Sequence, residues 1–563
     1  MSNNTYDVIV IGAGMTGGWA AKEFCENGFK TLLLERGREV KHNQNYPTTN
    51  LQPWDFKHRG PTSFKDQEEN PIVNRCYAYN ESTEHFFVKD TEHPYIEEKP
   101  FDWIRAYQTG GKSILWARQV QRWSKYDFEG PKRDGFAVDW PIGYDDLAEW
   151  YSYVEQFVGV SGNKDGLDIL PDGEFLKAWD LDCVEQHFQE SIKEHYKDRH
   201  LIYARCAHIT EMKDIFREQG RGLCQNRNLC ERGCPFGGYF NANSTLLPWA
   251  DKTGNLTLRP HSVVQSIIYD ETQKKATGVK VIDAQTKEVK EFYAKVVFVN
   301  AATLNTNLIL LNSKSKRFPN GLGNDNGLLG KYVGFHNYKA NVSAQYDGFK
   351  DVKNEGKRPT SSYIPRFRNV EKQDTDFLRG YAVSFYNYRP KIVEAEGIGQ
   401  ALTDSLLNTK EYKPWQVGCG IMGETIPKEH SYVALDKTEK DEWGIPQLRI
   451  NVGYDENDRK MTQDFLEQMT EMFEKAGFTN IQQNNTDRRP GLDIHEMGGV
   501  RMGKDPKTSL LNKWNQFHNC KNVFVTDGAC MTSFATQNPS LTFMALTARA
   551  ANYAIEELKE GRF

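Results

Sequence analysis

Apolar residues reach their highest density in a few short unbroken runs, at YDVIVI (Tyr6–Ile11), TLLL (Thr31–Leu34), KVVFVN (Lys295–Asn300) and KNVFVTD (Lys521–Asp527). Runs of four to six residues rich in valine and isoleucine predict strands buried on both faces, as in a parallel sheet. Helical spacing of apolar positions appears in DLAEWYSYVEQFV (Asp146–Val158), in Asp458–Lys475, in Leu541–Leu558 and in TLNTNLILL after the third run. Pro141 and Asp145 supply turn and cap signals before the first of these helices. Between Asn255 and Asp283, the segments LTLRP, VVQSIIYD and ATGVKVID alternate apolar and polar residues, which predicts a small antiparallel meander. Residues 37–100 are polar and proline-bearing with little periodicity, and read as a long excursion with short elements.

The order of these elements predicts an α/β protein, α+β overall. Strands of the first type stand at the start, near 255–312 and again at the end. Residues 1–129, 241–335 and 491–563 are therefore assigned to one discontinuous Rossmann-like domain. Residues 130–240 and 336–490 are assigned to an inserted substrate domain, expected to carry an antiparallel sheet flanked by helices. A chain of 563 residues exceeds what one core normally supports, which agrees with two units.

Composition narrows the function classes. The 71 basic and 76 acidic residues nearly balance at a net charge of −5, which gives no electrostatic footprint for nucleic acid or an anionic membrane. Mean hydropathy is −0.69, and the most apolar stretch, Val296–Leu311, is broken by Asn300, Asn305 and Asn307, so no transmembrane segment is expected. The residues before Tyr6 are polar and uncharged, so no secretory signal is expected there. The expected location is cytoplasmic unless a partner carries the chain out.

The first strand runs into GAGMTGG, and Glu35 closes the second strand. Strand, glycine turn, helix, strand and acid within about thirty residues are the pattern of a dinucleotide site. Gly12 permits the tight turn, Gly14 lets backbone approach a pyrophosphate, and Gly17 lets the helix pack on the sheet. The helix N-terminus offers free N–H groups to the phosphates, and Glu35 stands where an acid accepts hydrogen bonds from a ribose. This motif alone leaves FAD and NAD both open.

Further motifs separate them. GGKSILW (Gly110–Trp116), WPIGYDDL (Trp140–Leu147), HEMGGVRMG (His495–Gly503), VFVTDGA (Val523–Ala529) and QNPSLTFMALTARAA (Gln537–Ala551) follow the glycine turn in order. Over nearly its whole length the chain resembles the glucose-methanol-choline (GMC) oxidoreductases, and that resemblance implies FAD. It places Gly110, Gly111 and Ser113 against the flavin and pyrophosphate, the backbone of Val264 at the adenine, and Asp527 and Gly528 at the pyrophosphate–ribityl region. Leu115 stands where some sugar oxidases of the family carry a flavin-linked histidine, so noncovalent FAD is expected. His495 and Asn538 match the paired active-site positions. Alcohol oxidation needs a base for the O–H proton while hydride leaves for flavin N5. A neutral histidine suits that task, and an asparagine amide holds the hydroxyl without competing for the proton.

Seven of the ten cysteines are scattered, and three are not. Cys224, Cys230 and Cys234 follow a C-x5-C-x3-C spacing in the glycine-rich loop 223–241. Three thiolates in one loop suit an iron–sulfur cluster. Zinc is the alternative, with His208 or Cys206 as fourth ligand. The resemblance sharpens the first reading, because a subgroup of GMC sugar dehydrogenases binds a 3Fe-4S cluster through such a motif. That subgroup includes bacterial glucoside 3-dehydrogenases and FAD glucose dehydrogenases. It works with a small signal-bearing subunit and a c-type cytochrome acceptor, which implies periplasmic location by co-export.

The expected function is oxidation of a pyranoside hydroxyl, preferably at C3, with electrons passed through the cluster. C1 oxidation of glucose, an oxygen-using sugar oxidase and a flavin-bearing scaffold are the competing readings. The sequence does not identify the sugar. Tyr363, Tyr381, Phe385 and Tyr388 are aromatic candidates for contact, with ordinary packing as the simpler explanation.

Overall fold

The computed structural model describes residues 4–352, 360–390, 398–407, 413–486 and 488–563. The expected substrate domain therefore contains segments, 353–359, 391–397, 408–412 and 487, that lie outside the described residues.

The apolar runs meet in one seven-stranded sheet. Its order is Leu256–Arg259, Thr31–Leu34, Thr5–Ile11, Val289–Val299, Lys275–Asp283 and Ser262–Asp270. Val289–Val299 changes partner along its length. Its first half pairs antiparallel with Lys275–Asp283, and its last three residues pair parallel with Val523–Val525. Val8, Ile9, Val10 and Val296 to Val299 are fully buried or nearly so, which is why these segments lack alternation. One expectation is corrected here. Leu256–Arg259 is not part of the meander, but pairs parallel with Thr31–Leu34 at the sheet edge.

The helices Met15–Glu26, Asp145–Val158 and Ser540–Lys559 pack together against this sheet. Trp19 meets Phe157 edge-on at 5.4 Å, and Tyr151 shares a 2.8 Å hydroxyl contact with Thr542. Helix Asp145–Val158 therefore joins the nucleotide-domain core, although it falls in the 130–240 range assigned above to the insert. Its apolar stripe of Leu147, Tyr151, Val154 and Val158 is complementary to the other two helices. Asp145 is the first helical residue rather than its cap, and Asp146 accepts the Gly143 N–H instead.

A second seven-stranded sheet is antiparallel throughout, in the order Thr479–Asn485, Ala340–Tyr346, Trp415–Glu424, Tyr381–Tyr388, Ser362–Ile364 and Ile202–Tyr203. His336–Asn337 pairs with the end of the central strand, His336 opposite Glu424. Helices Cys183–His195 and Glu456–Lys475 cover this sheet with Phe188, Met461, Phe465 and Met469. A five-stranded sheet joins the two halves, running Met497–Gly499, Lys331–Gly334, Tyr432–Lys440, Pro446–Asn451 and Ile96–Glu97. The range 336–490 thus divides between two sheets, because Tyr432–Asn451 pairs with Lys331 rather than with the large antiparallel sheet.

Candidate active site

The two glycine motifs face each other. Gly12 adopts φ +95°, and a Cβ there would meet the Asn300 carbonyl oxygen at 2.2 Å. A Cβ on Gly17 would lie 1.7 Å from the Gly12 carbonyl oxygen, so glycine there is required by packing alone. Gly14 differs, with open space around the Cβ position and φ −79°. Gly110 donates its N–H to the Ala13 carbonyl at 2.8 Å, and the Cβ position of Gly111 lies 3.7 Å from the Cα of Gly14. Gly110 is further demanded by Asn243, whose amide donates to the Val40 and Thr109 carbonyls.

Glu35 follows its strand as expected. Its carboxylate accepts the N–H groups of Ala13 at 3.0 Å and Gly37 at 2.9 Å, and burial pushes its pKa up to about 7. Two accepted bonds leave lone pairs free on both oxygens. The Ser113 hydroxyl is committed locally, donating to the Gly110 carbonyl and accepting the Ala242 N–H. Val264 lies beside a bulge that interrupts pairing with the neighbouring strand. Asp527 accepts the Thr306 hydroxyl at 2.6 Å and the Ala529 N–H at 3.0 Å, and burial raises its pKa to about 6. Gly528 is packed against Thr303 Oγ1 and the Glu496 carbonyl, so it too is fixed by sterics. Leu115 is buried at the end of the short helix Gly111–Ile114.

His495 follows a tight turn in which Ile494 adopts φ +63°. A β-branched residue in the left-handed region is strained, and such strain is concentrated where geometry is over-determined. Asn538 precedes the helix Ser540–Lys559 and donates its Nδ2 proton to His495 Nε2 at 3.4 Å. The structure therefore brings this pair together. Lys112 of the second glycine motif reaches Glu496 at 3.3 Å, which ties that motif to the His495 segment. Burial holds the His495 pKa well below 6.5, with His336 and Lys112 adding to the effect.

His336 was not anticipated. Its Nδ1 lies 3.0 Å from His495 Nδ1, its Nε2 lies 3.1 Å from the Phe534 carbonyl oxygen, and its backbone N–H is accepted by Asp493. Nothing in GFHNY distinguishes it from the other histidines, and its partner is 159 positions away. Tyr363, Tyr381 and Phe385 are core residues, with the Tyr381 hydroxyl donated to Asp464, while Tyr388 is exposed.

Cys224, Cys230 and Cys234 line one pocket together with His208, Phe236 and Tyr239. Among the described residues they do not form a three-ligand set within 4.8 Å, a spacing reached only by His336, Asp493 and His495. Burial pushes Cys230 up to about 11, and Arg118 beside it acts in the opposite sense. His208 bridges Cys206 at 2.9 Å and Cys230 at 3.8 Å. Tyr239, lining the same pocket, donates its hydroxyl to the Ile114 carbonyl at 2.7 Å. The cysteine loop thus packs directly on the second glycine motif.

Sequence models of the GMC oxidoreductase family match residues 140–331 and 427–547. The chain is 28% identical to 2-methyl-1,2-propanediol dehydrogenase of Mycolicibacterium austroafricanum, over 97% of this chain and 94% of that one. It is 25% identical to the fructose dehydrogenase large subunit of Gluconobacter japonicus, over the full length of both. Its fold is similar to that of pyridoxine 4-oxidase from Mesorbium loti, with a TM-score of 0.59 at 15% identity, covering 97% of this chain and 98% of that one. Among the described residues, no helix is long and apolar enough to cross a membrane.

Proposed function

The chain belongs to the GMC oxidoreductase family, enzymes acting on CH–OH groups, and from that premise we propose that it is an FAD-dependent dehydrogenase of sugars or glycosides. We assign the preferred reaction to a secondary hydroxyl at C3 of a pyranoside, giving the 3-keto product. A 3Fe-4S cluster, when bound, would supply one-electron transfer towards a cytochrome-type acceptor. Two full-length relatives named as dehydrogenases, one of fructose and one of a diol, support the reaction class.

The residues present fit FAD. Gly14 leaves a gap that packing does not require, beside the N-terminus of helix Met15–Glu26, and Glu35 retains lone pairs for a ribose. Gly12, Gly14, Gly17, Glu35, Gly110, Gly111, Val264, Asp527 and Gly528 would hold it, with Ser113 bracing the second motif rather than offering its hydroxyl. Bound there, FAD supplies the two-electron acceptor. His495 Nε2 takes the proton of the substrate hydroxyl, and Asn538 holds the hydroxyl oxygen through its amide. His495 touches His336 of the antiparallel sheet, and its neighbour Glu496 pairs with Lys112 of the second glycine motif.

Three thiols on one pocket likewise fit an iron–sulfur cluster, which supplies single-electron transfer when bound. Cys224, Cys230 and Cys234 would hold it, and the buried Arg118 and Arg221 offset its negative charge. The observation that carries the relay is the Tyr239–Ile114 contact, which joins the cysteine pocket to the flavin motif. A relative named as a large subunit favours a small partner subunit, and with it co-export to the periplasm.

The test is anaerobic incubation of the holoprotein with a panel of glycosides, sugars and diols, following flavin bleaching and locating the new carbonyl by NMR. Bleaching by a glycoside with a ketone at C3 is expected. A lactone from glucose would move the reaction to C1. Peroxide formation at rates rivalling dye reduction, in protein free of iron, would replace the relay with an oxidase.

A further inference from the structure

The two imidazoles at the site constrain each other's protons. The Phe534 carbonyl can only accept, so His336 Nε2, 3.1 Å away, carries a hydrogen. Burial pushes the His336 pKa down to about 4, so near neutrality the ring holds one proton and its Nδ1 is a bare lone pair. That lone pair lies 3.0 Å from Nδ1 of His495. Two bare nitrogens at this distance would repel, so the single proton between them belongs to His495. His495 is also neutral, since burial and the Lys112 charge disfavour its cation. Its Nε2 is then an acceptor, which agrees with Asn538 directing an amide proton at it from 3.4 Å.

We propose that His336 is a positioning residue: by accepting the Nδ1 proton of His495, it locks that ring in the tautomer whose bare Nε2 faces the substrate hydroxyl. The chain of donors runs in one direction, from Asn538 to His495, from His495 to His336, and from His336 to the Phe534 carbonyl. The backbone holds both ends. His336 sits on the strand His336–Asn337 paired to Glu424 and Gly423, and Asp493 accepts its N–H at 2.9 Å. Phe534 belongs to the same loop as Asn538. The bond also stabilises the imidazolium formed when His495 takes a proton, because His336 remains an acceptor throughout.

A metal shared by His336, Asp493 and His495 is the rival occupant, since their ligand atoms lie within 4.8 Å. The geometry favours the hydrogen bond. Two imidazoles on one tetrahedral ion at ~2.0–2.1 Å bonds would stand about 3.3 Å apart, whereas these stand at 3.0 Å.

The tautomer is independent of any cofactor, and its effect on turnover rests on His495 being the base. Two-bond 15N–1H correlation spectra of histidine-labelled protein read it directly, with His495→Gln and His336→Asn assigning the signals. The expected pattern is a protonated Nδ1 on His495 and a protonated Nε2 on His336. In His336→Leu the His495 proton moves to Nε2 in most molecules. In His336→Asn, whose Oδ1 replaces the lost acceptor, it stays on Nδ1. In turnover, His336→Leu lowers kcat about tenfold or more with KM within about twofold, and His336→Asn recovers most of the loss. A protonated Nε2 on wild-type His495, or an unprotonated Nδ1 as metal binding would give, overturns the proposal. The expected spectra with no kcat effect would instead remove His495 as the base.

Discussion

Tyr239 donates its hydroxyl to the carbonyl of Ile114 at 2.7 Å, and both groups are buried. Tyr239 lines the cysteine pocket, and Ile114 ends the short helix of the second glycine motif. One hydrogen bond therefore joins the cysteine pocket to the second glycine motif, the two halves of the proposed electron path. Tyr239→Phe keeps the ring and removes the bond, at a cost of about 1 kcal/mol in stability. Stopped-flow measurements should show unchanged flavin bleaching by substrate and slower reduction of a one-electron acceptor. Equal acceptor rates in both proteins would separate Tyr239 from the proposed path.

Gly14 and Gly17 separate a binding role from a packing role. A Cβ at position 14 meets nothing within 4 Å, and the backbone there suits any residue. Gly14→Ala should therefore leave the melting temperature of the FAD-free protein unchanged while lowering FAD content. Gly17→Ala places its methyl 1.7 Å from the Gly12 carbonyl oxygen and should destabilise the FAD-free protein itself. Full FAD occupancy in Gly14→Ala would count against the cradle.

His495→Ala removes the proposed proton acceptor beside Asn538. Turnover should fall about a hundredfold or more while FAD stays bound, as loss of a general base requires. Visible absorbance of the purified variant reports retention of the flavin, so a lost cofactor is not mistaken for lost chemistry. Near-normal turnover would move the base elsewhere.

Cys230→Ser should lose iron and reduction of a cytochrome-type acceptor, yet keep substrate-dependent flavin bleaching. Metal analysis and anaerobic absorbance spectra check the two halves separately. Unchanged iron content would end the cluster assignment.

Asp458 gives a pH signature away from the site. It is buried on helix Glu456–Lys475, and burial raises its pKa to about 7 from 3.8. The folded protein holds this proton more tightly than the unfolded chain. Its contribution to stability is therefore fully present below pH 3.8 and is lost as pH rises through 7. Asp458→Asn stays neutral at every pH. Urea unfolding should find the two proteins alike near pH 4 and the variant more stable near pH 8, by on the order of 2–4 kcal/mol. A gap that does not widen with pH would show Asp458 ionised in the fold.

Everything carried by neighbours in the chain was legible in the sequence. Buried strands show as unbroken apolar runs because both faces are covered, and Gly12 and Gly17 show as glycines because the turn and the helix leave no room for a Cβ. The thiols of one loop reach one pocket because few residues separate them. Pairing between distant segments was decided only by the tertiary structure. Leu256–Arg259 alternates like a meander strand, yet its partner Thr31–Leu34 lies more than two hundred positions away. Helix Asp145–Val158 has an apolar stripe that fits either domain, and the choice was made by Trp19 and Thr542. His336 is one of 13 histidines, distinguished only when strand pairing opposite Glu424 sets its ring against His495. Local sterics leave a mark at each position of a sequence, whereas a contact between remote residues depends on how whole sheets stack, which no single segment records.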